Sequence, residues 1–228
     1  MDHLPWRHPF TSILAGLSGC GKTVFVSKFL KNLKHLSDTP IERIIFYYAE
    51  WQQGYRDLGD NVEFKEGLPQ PTDYSSDPRT KLIIIDDLMS EASSSGNIIS
   101  NLFTKGSHHN NLSVIFITQN IFHQGKNSRD ISLNAQYVVL FHNLRDRSQT
   151  QHLSRQLCPE NSRFVQEAYN DATRDPYGYF LIDLKQNTPN NCRFRTCIFP
   201  EDEYNFVYVP KNTIKNSGGE YNVPVVSV

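Results

Sequence analysis

Residues 16 to 23 read Gly16-Leu17-Ser18-Gly19-Cys20-Gly21-Lys22-Thr23 and match G-x-x-x-x-G-K-[ST] at every fixed position. The pattern has its meaning only between a buried strand and a helix, so it constrains the surrounding fold. Its glycines permit the backbone angles that turn successive N–H groups inward. The positive end of the following helix completes a nest for an anion. Both flanks are present. Ser12 to Ala15 forms a short strand, and Val26, Phe29, Leu30 and Leu33 recur at i, i+3, i+4 and i+7, with Lys28, Lys31 and Lys34 left toward solvent. Residues Gly16 to Thr23 are therefore expected to hold the phosphates of ATP, with Lys22 on the β and γ phosphates and the Thr23 hydroxyl on Mg2+.

Further short apolar segments follow at Ile41 to Ala49, Leu82 to Ile85, Leu112 to Thr118, Tyr137 to Phe141, Tyr179 to Leu184 and Arg195 to Phe199. Their continuous hydrophobicity suits strands covered on both faces. With helical stretches between them, they predict an α/β fold whose sheet is mainly parallel and flanked by helices. Gln52 to Gly59, Gly67 to Thr80 and Ser90 to Gly96 read as loops. The 228 residues, 38% of them hydrophobic, suffice for one substantial core. We expect an ATPase domain over residues 1–210 and a flexible tail over 211–228. The end of that tail, Val223 to Val228, alternatively adds a strand to a neighbouring subunit.

Lys81-Leu-Ile-Ile-Ile-Asp86-Asp87 is a buried-strand pattern ending in two carboxylates, and ligands of parallel sheets bind at carboxyl ends of strands. Asp86 suits a magnesium-holding role and Asp87 the base that activates water. The strand Leu112 to Thr118 runs into Gln119, an amide placed to sense the γ phosphate or to cap the next turn. Arg129, Arg145 and Arg147 lie beyond it, and each is a candidate arginine finger toward a neighbouring subunit's ATP or a partner in a surface salt bridge. Lys126 and Arg129, beside Gly125, are candidates for gripping DNA phosphates, which needs charge without base readout.

A net charge of −1 gives no overall attraction to polyanions, so any nucleic-acid contact must be local. The longest apolar runs fall far short of the roughly 20 residues that span a bilayer, so no membrane partner is expected. The N-terminus has no secretory pattern, which predicts a protein that stays inside the cell. Cys20, Cys158, Cys192 and Cys197 are expected as free thiols. His108 and His109 point in different directions as neighbours and lack the spacing of a metal site.

In this order, Gly16-Leu-Ser-Gly-Cys-Gly-Lys-Thr, Ile85-Asp-Asp-Leu-Met, Phe103-Thr-Lys-Gly-Ser-His-His, Thr118-Gln-Asn-Ile-Phe, Ser132-Leu-Asn-Ala-Gln-Tyr, Leu144-Arg-Asp and Tyr177-Gly-Tyr-Phe-Leu-Ile-Asp resemble the FtsK-HerA superfamily. The similarity is greatest to DNA-packaging ATPases of Polinton (Maverick) elements, adintoviruses and related viruses. The resemblance implies a RecA-like P-loop NTPase core, a ring-shaped homo-oligomer, and ATP-driven movement of double-stranded DNA into a capsid with capsid or portal proteins as partners. It also implies nucleotide binding by Lys22 and Thr23, metal binding and hydrolysis by Asp86 and Asp87, and sensing by Gln119. Asp87 departs from the glutamate common in the superfamily. The setting implied is a host nuclear or cytoplasmic assembly site, or the virion. A helicase or replication ATPase, and a nucleotide-dependent switch without motor activity, share the phosphate loop and acidic strand and remain alternatives.

Overall fold

A computed structural model describes residues 4–86, 88, 95–106, 111–121, 128–143, 145, 147–211 and 225–227. The centre of the fold is strand β1 (Thr11–Ala15), all five residues of which are buried. It lies parallel between β5 (Leu112–Thr118) and β6 (Tyr137–Phe141), with Ala15 opposite Thr118 on one side and Leu140 on the other. Beyond β5 come β4 (Lys81–Asp86), β2 (Arg43–Tyr48) and the edge strand β3 (Val62–Glu66), all parallel. On the other side β7 (Tyr179–Asp183), β8 (Phe194–Thr196) and β9 (Phe206–Val209) continue antiparallel, and β10 (Val225–Ser227) returns parallel to β9. Among the described residues the sheet order is β10-β9-β8-β7-β6-β1-β5-β4-β2-β3. The expected mainly parallel α/β sheet is the one observed. Within the span expected as a tail, Val225–Ser227 joins this chain's own sheet, while 212–224 and 228 lie outside the described residues.

Alternate residues of each strand feed two cores. On one face Leu14, Phe46, Ile84 and Phe141 pack under helix α1 (Lys22–Lys31) and the short α2 (Leu33–Leu36). The predicted stripe is observed: Val26, Phe29, Leu30 and Leu33 are buried, and Lys28, Lys31 and Lys34 are exposed. Trp6 completes this core, stacking on Tyr137 at 4.3 Å between ring centroids and meeting Phe10 and Phe29 edge-on. On the opposite face Ile13, Ile45, Ile83, Val114, Val138 and Ile182 meet α3 (Ser95–Asn101), α4 (Ser128–Asn134), α5 (Arg147–Leu157) and α6 (Ser162–Ala172).

Besides β10, three stretches differ from the sequence reading, and one of them, β9 (Phe206–Val209), was not among the expected strands. Gln53–Leu58, inside an expected loop, is a 3-10 turn that buries Tyr55 and Leu58. Strand β3 carries Glu63, Lys65 and Glu66 around Val62 and Phe64, so it shows no apolar run; polar side chains are usual on an exposed edge.

Asp183 and Arg195, on β7 and β8, form a buried ion pair at 2.6 Å with side chains only 3% and 6% exposed. Asp183 Oδ1 also accepts from Thr188 Oγ1 and the Lys185 amide, and Arg195 donates to the Leu4 carbonyl. Lys185 donates to the Pro9 carbonyl and Arg7 N–H to the Tyr137 hydroxyl, so the first residues are strapped across the antiparallel strands.

Candidate nucleotide site

The loop leaves β1 clamped to the end of β5, because Gly16 N–H donates to the Thr118 carbonyl at 3.2 Å. Gly16 admits no side chain: a Cβ there would fall 2.6 Å from Cys20 Sγ and 2.8 Å from Phe141 Cβ. Gly21 caps α1 at φ 109°, a left-handed conformation closed to ordinary side chains, and its carbonyl accepts from Phe25 N–H at 2.8 Å. Ten residues of helix follow, so the partial positive charge of α1 points back at the loop. Lys22 Nζ donates to the carbonyls of Gly16 at 2.5 Å and Leu17 at 2.9 Å. The ammonium is thus folded over the loop from which it would reach phosphate oxygens.

Cys20 turns its sulfur under the loop toward Gly16 and Phe141. Burial raises its thiol above the ordinary range and Lys22 opposes this less strongly, so the group is a small filler rather than a ready thiolate.

Asp86 ends β4 opposite Ile117, one residue before the end of β5, and is 8% exposed. Its Oδ2 accepts the Tyr55 hydroxyl at 2.8 Å. Tyr55 lies on the 3-10 turn that Ser27 fastens to α1 through the Asp57 carbonyl at 2.9 Å. The neighbouring Gly54 sits beside Thr23, whose Cγ2 would be 3.5 Å from a Cβ on that glycine. Thr23, the turn and Asp86 thus form one continuous patch, with a hydroxyl and a carboxylate of the hard-oxygen type that Mg2+ takes. Tyr55 was missed by sequence reasoning; a tyrosine between Gly54 and Arg56 in a polar stretch carries no motif.

Gln119 is exposed immediately after β5, at the same sheet edge as Gly16 and Asp86. Behind the loop, Gly16, Gln119, Phe141, Asn143, Thr150 and Tyr169 line a small cleft. Arg145 is exposed in the turn after β6, and its N–H donates to Asn143 Oδ1 at 3.0 Å. Arg147 starts α5, its side chain lying outside the described residues, and Arg129 is exposed in the first turn of α4. Both helices begin after strands that end at this edge. Asp87, Lys126, His108 and His109 lie outside the described residues.

Cys20, Cys158, Cys192 and Cys197 are free. Among the described residues no group of three or more His, Cys, Asp or Glu side chains could hold a metal ion, and no helix is long and apolar enough to cross a membrane.

No family model and no curated protein matches this chain. Solved structures do. The genome packaging NTPase B204 from Sulfolobus turreted icosahedral virus 2, in complex with ATP-gammaS, superposes with a TM-score of 0.51 at 15% identity, over 78% of this chain and 94% of that one. Its complex with AMPPCP gives 0.51 at 17% identity over the same shares. The cytoplasmic domain of the Thermomonospora curvata Type VII secretion ATPase EccC gives 0.50 at 12% identity, over 78% of this chain and 24% of that one. At these identities the likeness speaks for architecture: this chain has the P-loop NTPase fold, a mainly parallel sheet flanked by helices.

Proposed function

We propose that this chain is an ATP-driven motor that moves double-stranded viral or transposon DNA into a capsid, a genome-packaging ATPase of the FtsK-HerA kind. The observation that carries the reading is the phosphate loop at the carboxyl edge of a central strand, with Asp86 and Gln119 on the adjoining strand ends. The likeness in fold to a viral packaging NTPase over most of both chains supports the packaging role. The ordered motifs favour relatives in Polinton elements and adintoviruses.

In this reading the loop amides and α1 bind the β and γ phosphates, and Lys22 exchanges the Gly16 and Leu17 carbonyls for phosphate oxygens. Thr23 and Asp86 would hold Mg2+, which would supply positive charge to offset that on the phosphates. Asp87 receives the proton of the attacking water and Gln119 orients that water. Arg145 or Arg147 reaches the next subunit's ATP across a ring interface, coupling hydrolysis to ring movement. Lys126 and Arg129 are the residues assigned to the DNA backbone. Portal or capsid proteins dock the ring at a nuclear or cytoplasmic assembly site. The ATPase domain is taken as residues 1–210, with 211–228 following it and returning Val225–Ser227 to the edge of the same sheet.

The test is steady-state ATP hydrolysis by wild type and Lys22→Ala, with and without linear duplex DNA, together with light scattering. Stimulation by DNA, its loss in Lys22→Ala and an active ring support the motor. Nucleotide binding without any effect of duplex DNA on turnover or assembly refutes it and favours a nucleotide-dependent switch. Strand displacement instead of duplex translocation favours a helicase.

A further inference from the structure

The turn between α6 and β7 holds an aromatic ring in an unusual place. Tyr177 has φ 63°, in the left-handed region that bulky residues adopt only at a cost in strain. Such strain persists where the surroundings enforce it, and it concentrates at ligand sites. The side chain is also 62% exposed, so burial does not account for the conformation.

What the turn achieves is proximity to the phosphate loop. A Cβ on Gly21 would lie 2.9 Å from Tyr177 Cδ1, 3.2 Å from its Cβ and 3.4 Å from its Cα. The tyrosine therefore stands directly over the last glycine before Lys22. Val24, in the first turn of α1 just after this glycine, is 48% exposed. Two large apolar side chains thus face water at the mouth of the loop.

The sheet order says which part of a ligand they would meet. Asp86 and Gln119 follow β4 and β5, on one side of β1, and draw the metal and terminal phosphate to that side. Tyr177 precedes β7, whose first residue Tyr179 pairs with Phe141 at the end of β6, on the other side of β1. A nucleotide whose terminal phosphate points toward Asp86 sends its base toward β6 and β7.

We propose that Tyr177 is the platform on which the base of the bound nucleoside triphosphate stacks, with Val24 as the apolar floor beside it. The inference rests on the ATP-binding reading of the loop. Stacking engages the face of a base, which all bases share, so the platform strengthens ATP and GTP binding alike and contributes nothing to inorganic triphosphate.

Binding of ATP, GTP and inorganic tripolyphosphate is measured by calorimetry for wild type, Tyr177→Gly, Tyr177→Asn, Tyr177→Phe and Lys22→Ala. Tyr177→Gly and Tyr177→Asn weaken ATP and GTP between about fivefold and about 100-fold, as loss of one base–aromatic stack does. Both leave tripolyphosphate within about twofold and melt at or above the wild-type temperature, because glycine and asparagine suit the left-handed turn. Tyr177→Phe binds like wild type, and Lys22→Ala weakens all three ligands. Equal weakening of tripolyphosphate and ATP by Tyr177→Asn overturns the proposal, since the ring then only props the loop. Unchanged ATP affinity in Tyr177→Gly also overturns it while leaving the phosphate-loop reading intact. Unchanged binding of every ligand in Lys22→Ala removes that reading and the platform with it.

Discussion

Gly21→Ala perturbs the loop at its tightest point, and the structure sets the size of the effect. At φ 109° an alanine is strained wherever its methyl points, at about 1–2 kcal/mol. The methyl also meets Tyr177: its ring, 2.9 Å away, can swing, but the tyrosine Cβ and Cα at 3.2 and 3.4 Å move only with the turn. Overpacking of this sort adds about 1–2 kcal/mol, the lower part of its usual range because one side is open to water. The sum is about 3 kcal/mol, or a fall in melting temperature on the order of 10 °C for a domain of this size. Urea denaturation of Gly21→Ala, Tyr177→Gly and the double variant separates the two contributions. Tyr177→Gly removes the obstructing side chain but not the backbone strain at residue 21, so Gly21→Ala costs about 1.5 kcal/mol less in that background. Additivity within about 0.5 kcal/mol would show that the tyrosine is not over the glycine, and a neutral Gly21→Ala would refute the left-handed cap itself.

Tyr55→Phe removes the hydroxyl donated to Asp86, at about 1.5–3 kcal/mol for a bond to a carboxylate, and raises the Mg2+ concentration for half-maximal hydrolysis several-fold; an unchanged Mg2+ profile in a metal titration contradicts the link. Arg145→Ala lowers kcat by about 10³-fold with ATP affinity intact if it is the finger, and mixing it with Lys22→Ala subunits restores part of the rate; full activity of Arg145→Ala alone passes the role to Arg147. Arg195→Met strands the buried Asp183 carboxylate and costs about 3–5 kcal/mol in urea denaturation, whereas replacing both residues by apolar ones of similar volume recovers most of it. The Arg43 guanidinium holds the Glu63 carboxyl below its ordinary range, and Arg79 does the same for Asp77. Folded carboxyls with lowered pKa release protons that the unfolded chain keeps, so their contribution is present above about pH 4.5 and is lost as pH falls through the folded values; Arg43→Met flattens that acid limb of the stability curve.

The parts of the site that were legible in the sequence share one property: a short-range pattern with a single physical reading. The loop from Gly16 to Thr23, the stripe Val26, Phe29, Leu30 and Leu33, and the apolar run that stops at Asp86 each state their own geometry. Tyr55 and Tyr177 do not. Each comes to the site through a turn whose position depends on strands elsewhere, and although Tyr177 heads the segment Tyr177-Gly-Tyr-Phe-Leu-Ile-Asp, neither tyrosine shows in sequence whether it faces water or a ligand. The antiparallel strands β7 to β9 were hidden in a similar way. The apolar run of β7 shows that it is buried but not which way it runs, and β9 (Phe206–Val209) was not among the expected strands. Cys20 fell between these cases, with its place in the loop fixed by the motif and its inward direction by the absence of space around Gly16.

The central position of β1 bears on how the chain acquires its site during synthesis. Thr11 pairs with Val114, and Ser12 pairs with Tyr137, so both hydrogen-bonding neighbours of the phosphate-loop strand are made more than a hundred residues after it. The strap that holds the first residues waits longer still, for Lys185 and Arg195. Closing contacts of such span is slow. A ribosome-bound chain therefore displays its nucleotide motif early but has no sheet in which to set it, and the site forms only when nearly the whole domain has emerged.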